Sequence, residues 1–365
     1  MKIKAAVAYE RDAPFVIKEV YLDEPKDTEI LVKMAGCGIR HADPFVKENG
    51  PTELPAVFGH EGSGVVERVG RAVTMVEPGD HVVFCSYSCG ICEFCLSGRP
   101  ALCARADEVD FGGIYADGTK RLKDENGTEL SCFFGQSSFA TYVVADQRSA
   151  VRVSRYVDIT MLGPLGCGFQ TGAGSVLNVL NPVMGNTIAV FGCGSVGLAA
   201  VMAAKLSGCS AIIGIDTVQK KLDVAKELGA THIINGKDES DLLSCLLDIT
   251  KGRGLDFTFD TIGDESLLAV AIDSLRRGGT CGTVASTGNK IIGIKFVSLM
   301  GESKRLIGIV QGDSIPWLFI PKLIEFYKEG RFPFDKLIKY YDFEDINKAM
   351  EDAHHGLVIK PVLRF

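Results

Sequence analysis

Four cysteines, Cys89, Cys92, Cys95 and Cys103, stand in the pattern C-x2-C-x2-C-x7-C. Thiolates at this density can close a tetrahedral shell around Zn²⁺ and leave no open position for a substrate, so the chemistry they imply is structural. The nearby cations are Arg99 and Arg105, too few for a nucleic-acid zinc ribbon. A second pattern, VFGCGSVG, supplies Gly192, Gly194 and Gly197 as G-x-G-x-x-G, and it binds dinucleotides when a strand precedes it and a helix follows. The first glycine permits the turn, the second lets a pyrophosphate approach the backbone, and the third lets helix and strand pack closely. Ser195 and Val196 within the turn are taken as cofactor-binding too. Asp216 closes the next apolar run, IIGID, 24 residues after Gly192. An acid there hydrogen-bonds ribose hydroxyls and repels a 2′-phosphate, which selects NAD(H) over NADP(H). The third stretch, CGIRHAD (37–43), sets Cys37, His41 and Asp43 around Arg40. Metal-ligand residue types thus surround a permanent cation, and the stretch is either a metal site or the remains of one.

These residues need elements to position them. Through about residue 155 the chain is dense in short β-like runs such as EILVKMAG, GSGVVERVG and DHVVFCS. From GNTIAVFGCGSVGLAAVMAAKLSG onward, the apolar runs IAVFG, AIIGID, HIIN, LDFTFD and GTCGTVAS alternate with helical stretches. That alternation predicts a parallel, doubly wound α/β sheet, with the glycine turn at its first strand–helix junction. The charged piece YADGTKRLKDENGTELS (115–131) reads as a surface loop or irregular hairpin.

At 365 residues, two domains are expected. A net charge of −7 gives no electrostatic reason for a nucleic-acid partner. No apolar run reaches membrane-span length, and MKIKAAVAYERDAPF lacks a secretory core, so a cytoplasmic protein is expected. Twelve cysteines in that compartment point to metal ligands and buried thiols rather than disulfides.

Taken together, GHEGSGVVERVG (59–70), PGDHVVF (78–84), the four-cysteine lobe, LGPLGCGFQTGAG (162–174) and GCGSVG (192–197) resemble the medium-chain, zinc-containing alcohol dehydrogenase family over nearly the whole chain. FFGQSSFATY (133–142) looks most like its aryl- or benzyl-alcohol branch. The resemblance implies a GroES-like β-rich catalytic domain at 1–160 and 305–365, carrying a structural zinc lobe at 89–103. A Rossmann dinucleotide-binding domain is implied at 161–304. It also implies a homodimer or homotetramer joined edge to edge through the cofactor-domain sheets, for which GTCGTVAS and the following KIIGIKF are candidates. The substrate would be a small apolar or aromatic alcohol or carbonyl compound, received by pocket residues such as Phe45, Phe111, Phe134 and Phe169.

In that family a catalytic zinc is held by a Cys, the His of GHE and a second Cys. His60 and Cys167 match two ligands, and Glu61 matches the nearby acid that can swing onto the metal. The family's C-G-I-C-H-S/T-D motif lays its first ligand on Arg40 and its proton-relay hydroxyl on Ala42. His41 falls where the family contacts the cofactor pyrophosphate, and Asp43 on the acid that orients the ligand histidine. Lys221 and Lys360 match cations at the adenosine ribose and pyrophosphate, and Val284 and Ser286 are further cofactor contacts. Thiolate and hydroxyl are therefore missing together, and a guanidinium donates no electrons to a metal. One structural Zn²⁺ and NAD(H) are expected, with a catalytic centre of Arg40, Asp43, His60, Glu61 and Cys167 that works without zinc. The expected reaction is hydride transfer to an activated or conjugated aryl or allylic carbonyl or C=C acceptor. Two other readings stay open: a zinc enzyme using His60, Cys167 and Glu61, and a dinucleotide-binding sensor without turnover. Recruitment of Cys37 as the missing ligand is a further route to a metal site.

Overall fold

Strand Glu29–Gly38 organises the first part of the molecule, and its near-continuous apolar run EILVKMAGCG is buried along most of its length. It pairs antiparallel with Glu61–Val69, Tyr142–Asp146 and Lys360–Arg364. The registers Gly38↔Glu61 and Val362↔Gly38 bring residues from three distant segments to the end of this strand, where Arg40 follows. Around it lie a seven-stranded sheet and a second, five-stranded sheet. The computed structural model describes residues 1–40, 42–288 and 290–365. It divides into a unit of Met1–Gly168, Ile315–Glu325 and Phe334–Phe365 and a unit of Phe169–Ser314 with Phe326–Pro333.

In the second unit six strands run parallel, in the spatial order His232–Asn235, Ala211–Asp216, Thr187–Phe191, Leu255–Asp260, Leu275–Thr283, Arg305–Gly308. Counted along the chain this is 3-2-1-4-5-6, the order of a doubly wound dinucleotide-binding sheet, as the alternating apolar runs predict. Ala189, Phe191, Ile213, Ile215, Leu255 and Leu268 lie in its core.

Two expectations are corrected. The strand GTCGTVAS is not an edge, because Arg305–Gly308 pairs with it on its outer side. No strand forms among the described residues of KIIGIKF, and Phe296 begins the helix Phe296–Met300. The charged piece 115–131 does form a hairpin, Leu122–Lys123 against Glu129–Leu130, but it is not purely a surface feature. Arg121 within it is buried and donates from Nε and Nη2 to Glu29, at 3.1 and 2.6 Å. No helix among the described residues is long and apolar enough to cross a membrane.

Candidate functional site

The strand ends above gather one buried polar cluster. Asp43, in the first turn of helix Ala42–Asn49, accepts from the Arg40 backbone N–H at 2.9 Å and lies 2.8 Å from His60 Nδ1. That contact fixes the imidazole and leaves Nε2 buried without a hydrogen-bond partner. A ring nitrogen of His60, a Glu61 carboxylate oxygen and Cys167 Sγ lie within 4.8 Å of one another. Arg40 Nη1 donates to Cys167 Sγ at 2.8 Å. Lys360 Nζ donates to Glu61 Oε2 at 2.8 Å and to the Ile39 carbonyl at 3.1 Å, while Glu61 Oε1 accepts from Gly168 N at 2.9 Å. Asp43, His60, Glu61, Cys167 and Lys360 are all buried, and Arg40 is partly exposed.

The electrostatics follow from this packing. Burial pushes the Cys167 thiol up, but Arg40 and His60 outweigh it and hold the thiol below its ordinary value. Burial pulls His60 down, yet Asp43 and Cys167 leave it pushed up to about 10. The nearest charge holding Arg40 above its ordinary value is Cys167.

Does this donor set suit a divalent metal? The orphaned His60 Nε2 does. The two anionic donors do not, since Arg40 engages one and Lys360 the other. A guanidinium and a divalent cation about 4 Å apart repel by about 8 kcal/mol at an effective dielectric of 20. The set as arranged does not fit a catalytic zinc. Cys37 does not repair it, because its thiol is fully buried, donates to the Gly38 carbonyl and is pushed well up by that burial. Lys360, expected at the cofactor pyrophosphate, has its ammonium buried on Glu61, because the Lys360–Arg364 strand pairs beside the end of Glu29–Gly38. Ala42 puts a methyl group where the family's relay hydroxyl would stand. His41 lies outside the described residues.

An aromatic wall covers the cluster. Phe134 stacks on His60 with ring centroids 4.5 Å apart, Phe133 meets it edge-on at 5.4 Å, and Phe111 packs on Phe134 at 5.2 Å. Phe45 is half-buried, and Phe169 is buried in the second unit.

The four lobe cysteines also lie within 4.8 Å of one another. Backbone N–H groups point at their sulfurs, from Cys89 to Cys103 at 3.2 Å, Cys92 to Cys89 at 3.4 Å and Arg105 to Cys103 at 3.4 Å. Four such sulfurs fit a structural Zn²⁺.

In the second unit, Gly192 takes φ +92°, the left-handed region that favours glycine. A Cβ on Gly197 would lie 1.8 Å from the Gly192 carbonyl oxygen, so helix and strand meet there only through glycine. A Cβ on Gly194 would meet nothing within 4 Å, which leaves open space over the turn. Helix Ser195–Leu206 begins there with no side chain capping its amides, and such a terminus receives a pyrophosphate. Asp216 Oδ2 accepts from Cys193 N at 2.8 Å, and Oδ1 accepts from Thr217 N and Val218 N. Lys221 follows on helix Gln219–Leu228, and Val284 and Ser286 follow the end of strand Leu275–Thr283. These residues fit a dinucleotide. Sequence reasoning missed Asp260, which accepts from Ile262 N, Gly263 N and Thr283 Oγ1 and so fixes the loops at the same end of the sheet. Its sole signal was an acid closing the run LDFTFD.

Comparison with known proteins bears on all of this. Residues 26–155 match the alcohol dehydrogenase GroES-like domain, and residues 195–329 match the zinc-binding dehydrogenase domain. Geraniol dehydrogenase of Castellaniella defragrans is 38% identical over 364 residues, 99% of this chain and 97% of that protein. The crystal structure of benzyl alcohol dehydrogenase from Acinetobacter calcoaceticus superposes with a TM-score of 0.96 at 38% identity, covering 100% of this chain and 99% of that one. An alcohol dehydrogenase zinc-binding domain protein from Burkholderia ambifaria gives a TM-score of 0.97 at 42% identity, again over 100% and 99% of the two chains.

Proposed function

This chain belongs to the medium-chain, zinc-containing alcohol dehydrogenase family, and from that premise we propose that it reduces conjugated aryl or allylic acceptors with NADH at a centre that holds no zinc. The observation that carries the reading is the 2.8 Å bond from Arg40 Nη1 to Cys167 Sγ, which puts a cation where the family's metal would need a ligand. Geraniol and benzyl alcohol, in the names of two relatives, are an allylic and an aromatic alcohol, and their oxidised partners are conjugated aldehydes. A conjugated acceptor spreads the charge that develops during reduction, so it demands less electrophilic help than a plain carbonyl.

The nicotinamide, when bound, supplies the hydride. The chain's own residues do the remaining work. Gly192, Gly194, Ser195, Val196 and Gly197 hold the pyrophosphate, and Asp216, Lys221, Val284 and Ser286 hold the adenosine and neighbouring ribose side. Arg40 keeps N–H donors beyond the one engaged by Cys167, and these receive an oxygen that gains charge. Asp43 orients His60, Lys360 neutralises Glu61, and the Phe134 ring keeps water from the imidazole face. The four-cysteine lobe holds the single zinc.

A second reading keeps zinc on His60, Glu61 and Cys167, and the 4.8 Å clustering of their donor atoms with the orphaned His60 Nε2 favours it. Metal analysis combined with a substrate panel separates the two. One zinc per chain with brisk NADH oxidation by cinnamaldehyde-type enals or enones is the expected result. Two zincs per chain with zinc-dependent oxidation of benzyl alcohol would overturn the proposal. NADH binding without consumption across the whole panel would identify a dinucleotide sensor instead.

A further inference from the structure

Outside the four-cysteine lobe, the buried cysteine sulfurs fall into two bonding classes. Cys37, Cys85, Cys132, Cys193 and Cys281 are buried, and each donates its S–H to a backbone carbonyl. Burial pushes each of these thiols up, so they are held as thiols. Cys167 is equally buried, yet its sulfur receives an N–H from the Arg40 guanidinium. Beside it stands a second, independent feature, the unpartnered His60 Nε2, on a side chain only 1% exposed. Nδ1 of that ring is engaged by Asp43, so Nε2 is the nitrogen left to face the sulfur. Carboxylate, imidazole and sulfur are thus placed in succession, the order in which a histidine serves a nucleophilic cysteine. The guanidinium adds the positive neighbour that favours a reactive sulfur.

We propose that Cys167 is a covalent addition site for small conjugated carbonyl electrophiles, a role that rests on the zinc-free reading because a metal-bound sulfur would be masked. In the addition, Sγ bonds to the β-carbon and the C=C π pair moves toward the carbonyl as an enolate. The proton that the Cys167–His60 pair holds between sulfur and ring passes from His60 Nε2 to the α-carbon. The step is a net addition of S–H across C=C and needs no oxidant or reductant. Arg40, the partly exposed member of the cluster, must turn aside to admit the electrophile, which restricts the site to small, flat molecules. The same class of compound is therefore hydride acceptor when NADH is present and covalent ligand when it is absent.

The test uses the full chain with its lobe zinc retained and no dinucleotide, exposed to methyl vinyl ketone, quenched at intervals and mapped by peptide mass spectrometry. Zinc per chain is measured on the same sample. The Cys167 peptide is expected to gain the adduct about ten-fold faster than those of Cys85, Cys193 and Cys281. Arg40→Met and His60→Gln should each slow that labelling by about ten-fold, while Arg40→Lys, which keeps the charge, should retain part of it. A Cys167 peptide labelled no faster than the carbonyl-bonded thiols, in a chain holding one zinc, overturns the addition site and leaves the zinc-free reading standing. The same failure with two zincs per chain overturns both.

Discussion

Two clusters of metal-type residues occupy the first unit, and they differ in what neutralises them. In the Cys89–Cys103 lobe, the four sulfurs face one another and receive backbone N–H groups. In the strand-end cluster, Cys167 and Glu61 are each met by a side-chain cation, Arg40 and Lys360. Backbone amides leave net negative charge for an ion to cancel, whereas a paired guanidinium or ammonium has already cancelled it. Donor types alone thus do not make a metal site. On the proposed zinc-free reading, the charge left over after the protein's own pairings decides it.

The sharpest way to break that contrast is to remove metal. Apparent zinc affinities of structural four-ligand sites amount to about 10–16 kcal/mol and enter the folding free energy directly. Chelation, or Cys92→Ser, should therefore lower the thermal midpoint markedly and expose the lobe to proteolysis. Under the same treatment the reduction of conjugated acceptors by protein that remains folded should persist. Loss of turnover at a chelator concentration that leaves the lobe zinc bound would show a second, weaker metal in the Cys167 cluster and would erase the distinction.

A smaller effect is expected from the second cation. Lys360 and Glu61 are both essentially excluded from solvent, and removing one partner of a buried pair costs about 3–5 kcal/mol because the other charge is left uncompensated. Lys360→Met should lose about that much stability in chemical denaturation. Adding Glu61→Gln, which keeps an acceptor for Gly168 N, should recover most of the loss, a non-additivity typical of contacting residues. If Lys360→Met instead costs under about 1 kcal/mol and raises the zinc content, Glu61 was available to a metal.

The same contrast explains what the sequence made legible. The four lobe cysteines and the glycine turn each lie within one short stretch, so spacing alone brought them forward as candidates. The loss of a thiolate at Arg40 was equally local. Its consequence was not, since Cys167 is 127 positions away and Lys360 lies 299 positions from Glu61. Both pairings are set by strand register and the packing around it, which local periodicity does not encode. The pairing of Lys360 with Glu61 therefore went unread. Arg121 was hidden in a hydrophilic stretch whose hairpin turns one cation inward onto Glu29. Five of the six parallel strands were readable from alternating apolar runs, but the outer edge, Arg305–Gly308, was not, because it is only four residues long and no such alternation leads up to it.

One residue joins the two clusters and offers the finest test. Asp110 sits on helix Ala106–Phe111, just after the last lobe cysteine, and accepts from Ser86 Oγ at 2.7 Å and Tyr87 N at 3.2 Å, just before the first. Phe111, beside it, packs on the Phe134 ring that covers His60. Burial pushes the Asp110 carboxyl up to about 7, against the hydrogen bonds and the His60 charge that pull it down, while Asp107 adds to the rise. A carboxyl raised in the folded state binds its proton more tightly than in the unfolded chain, so folding stability falls as pH rises. The decline begins near the ordinary carboxyl value of about 4 and ends near 7, above which both states are ionised. Asp110→Asn keeps an acceptor for Tyr87 N and removes the titration. Urea unfolding between pH 5 and 8 should show wild-type stability falling by no more than a few kcal/mol relative to this variant. The loss should appear at both clusters, as earlier proteolysis of the lobe and as weaker quenching of a reporter placed near Phe134. Parallel pH profiles for the two proteins would mean that Asp110 is ionised throughout, and the lobe and the strand-end cluster would then be electrostatically independent.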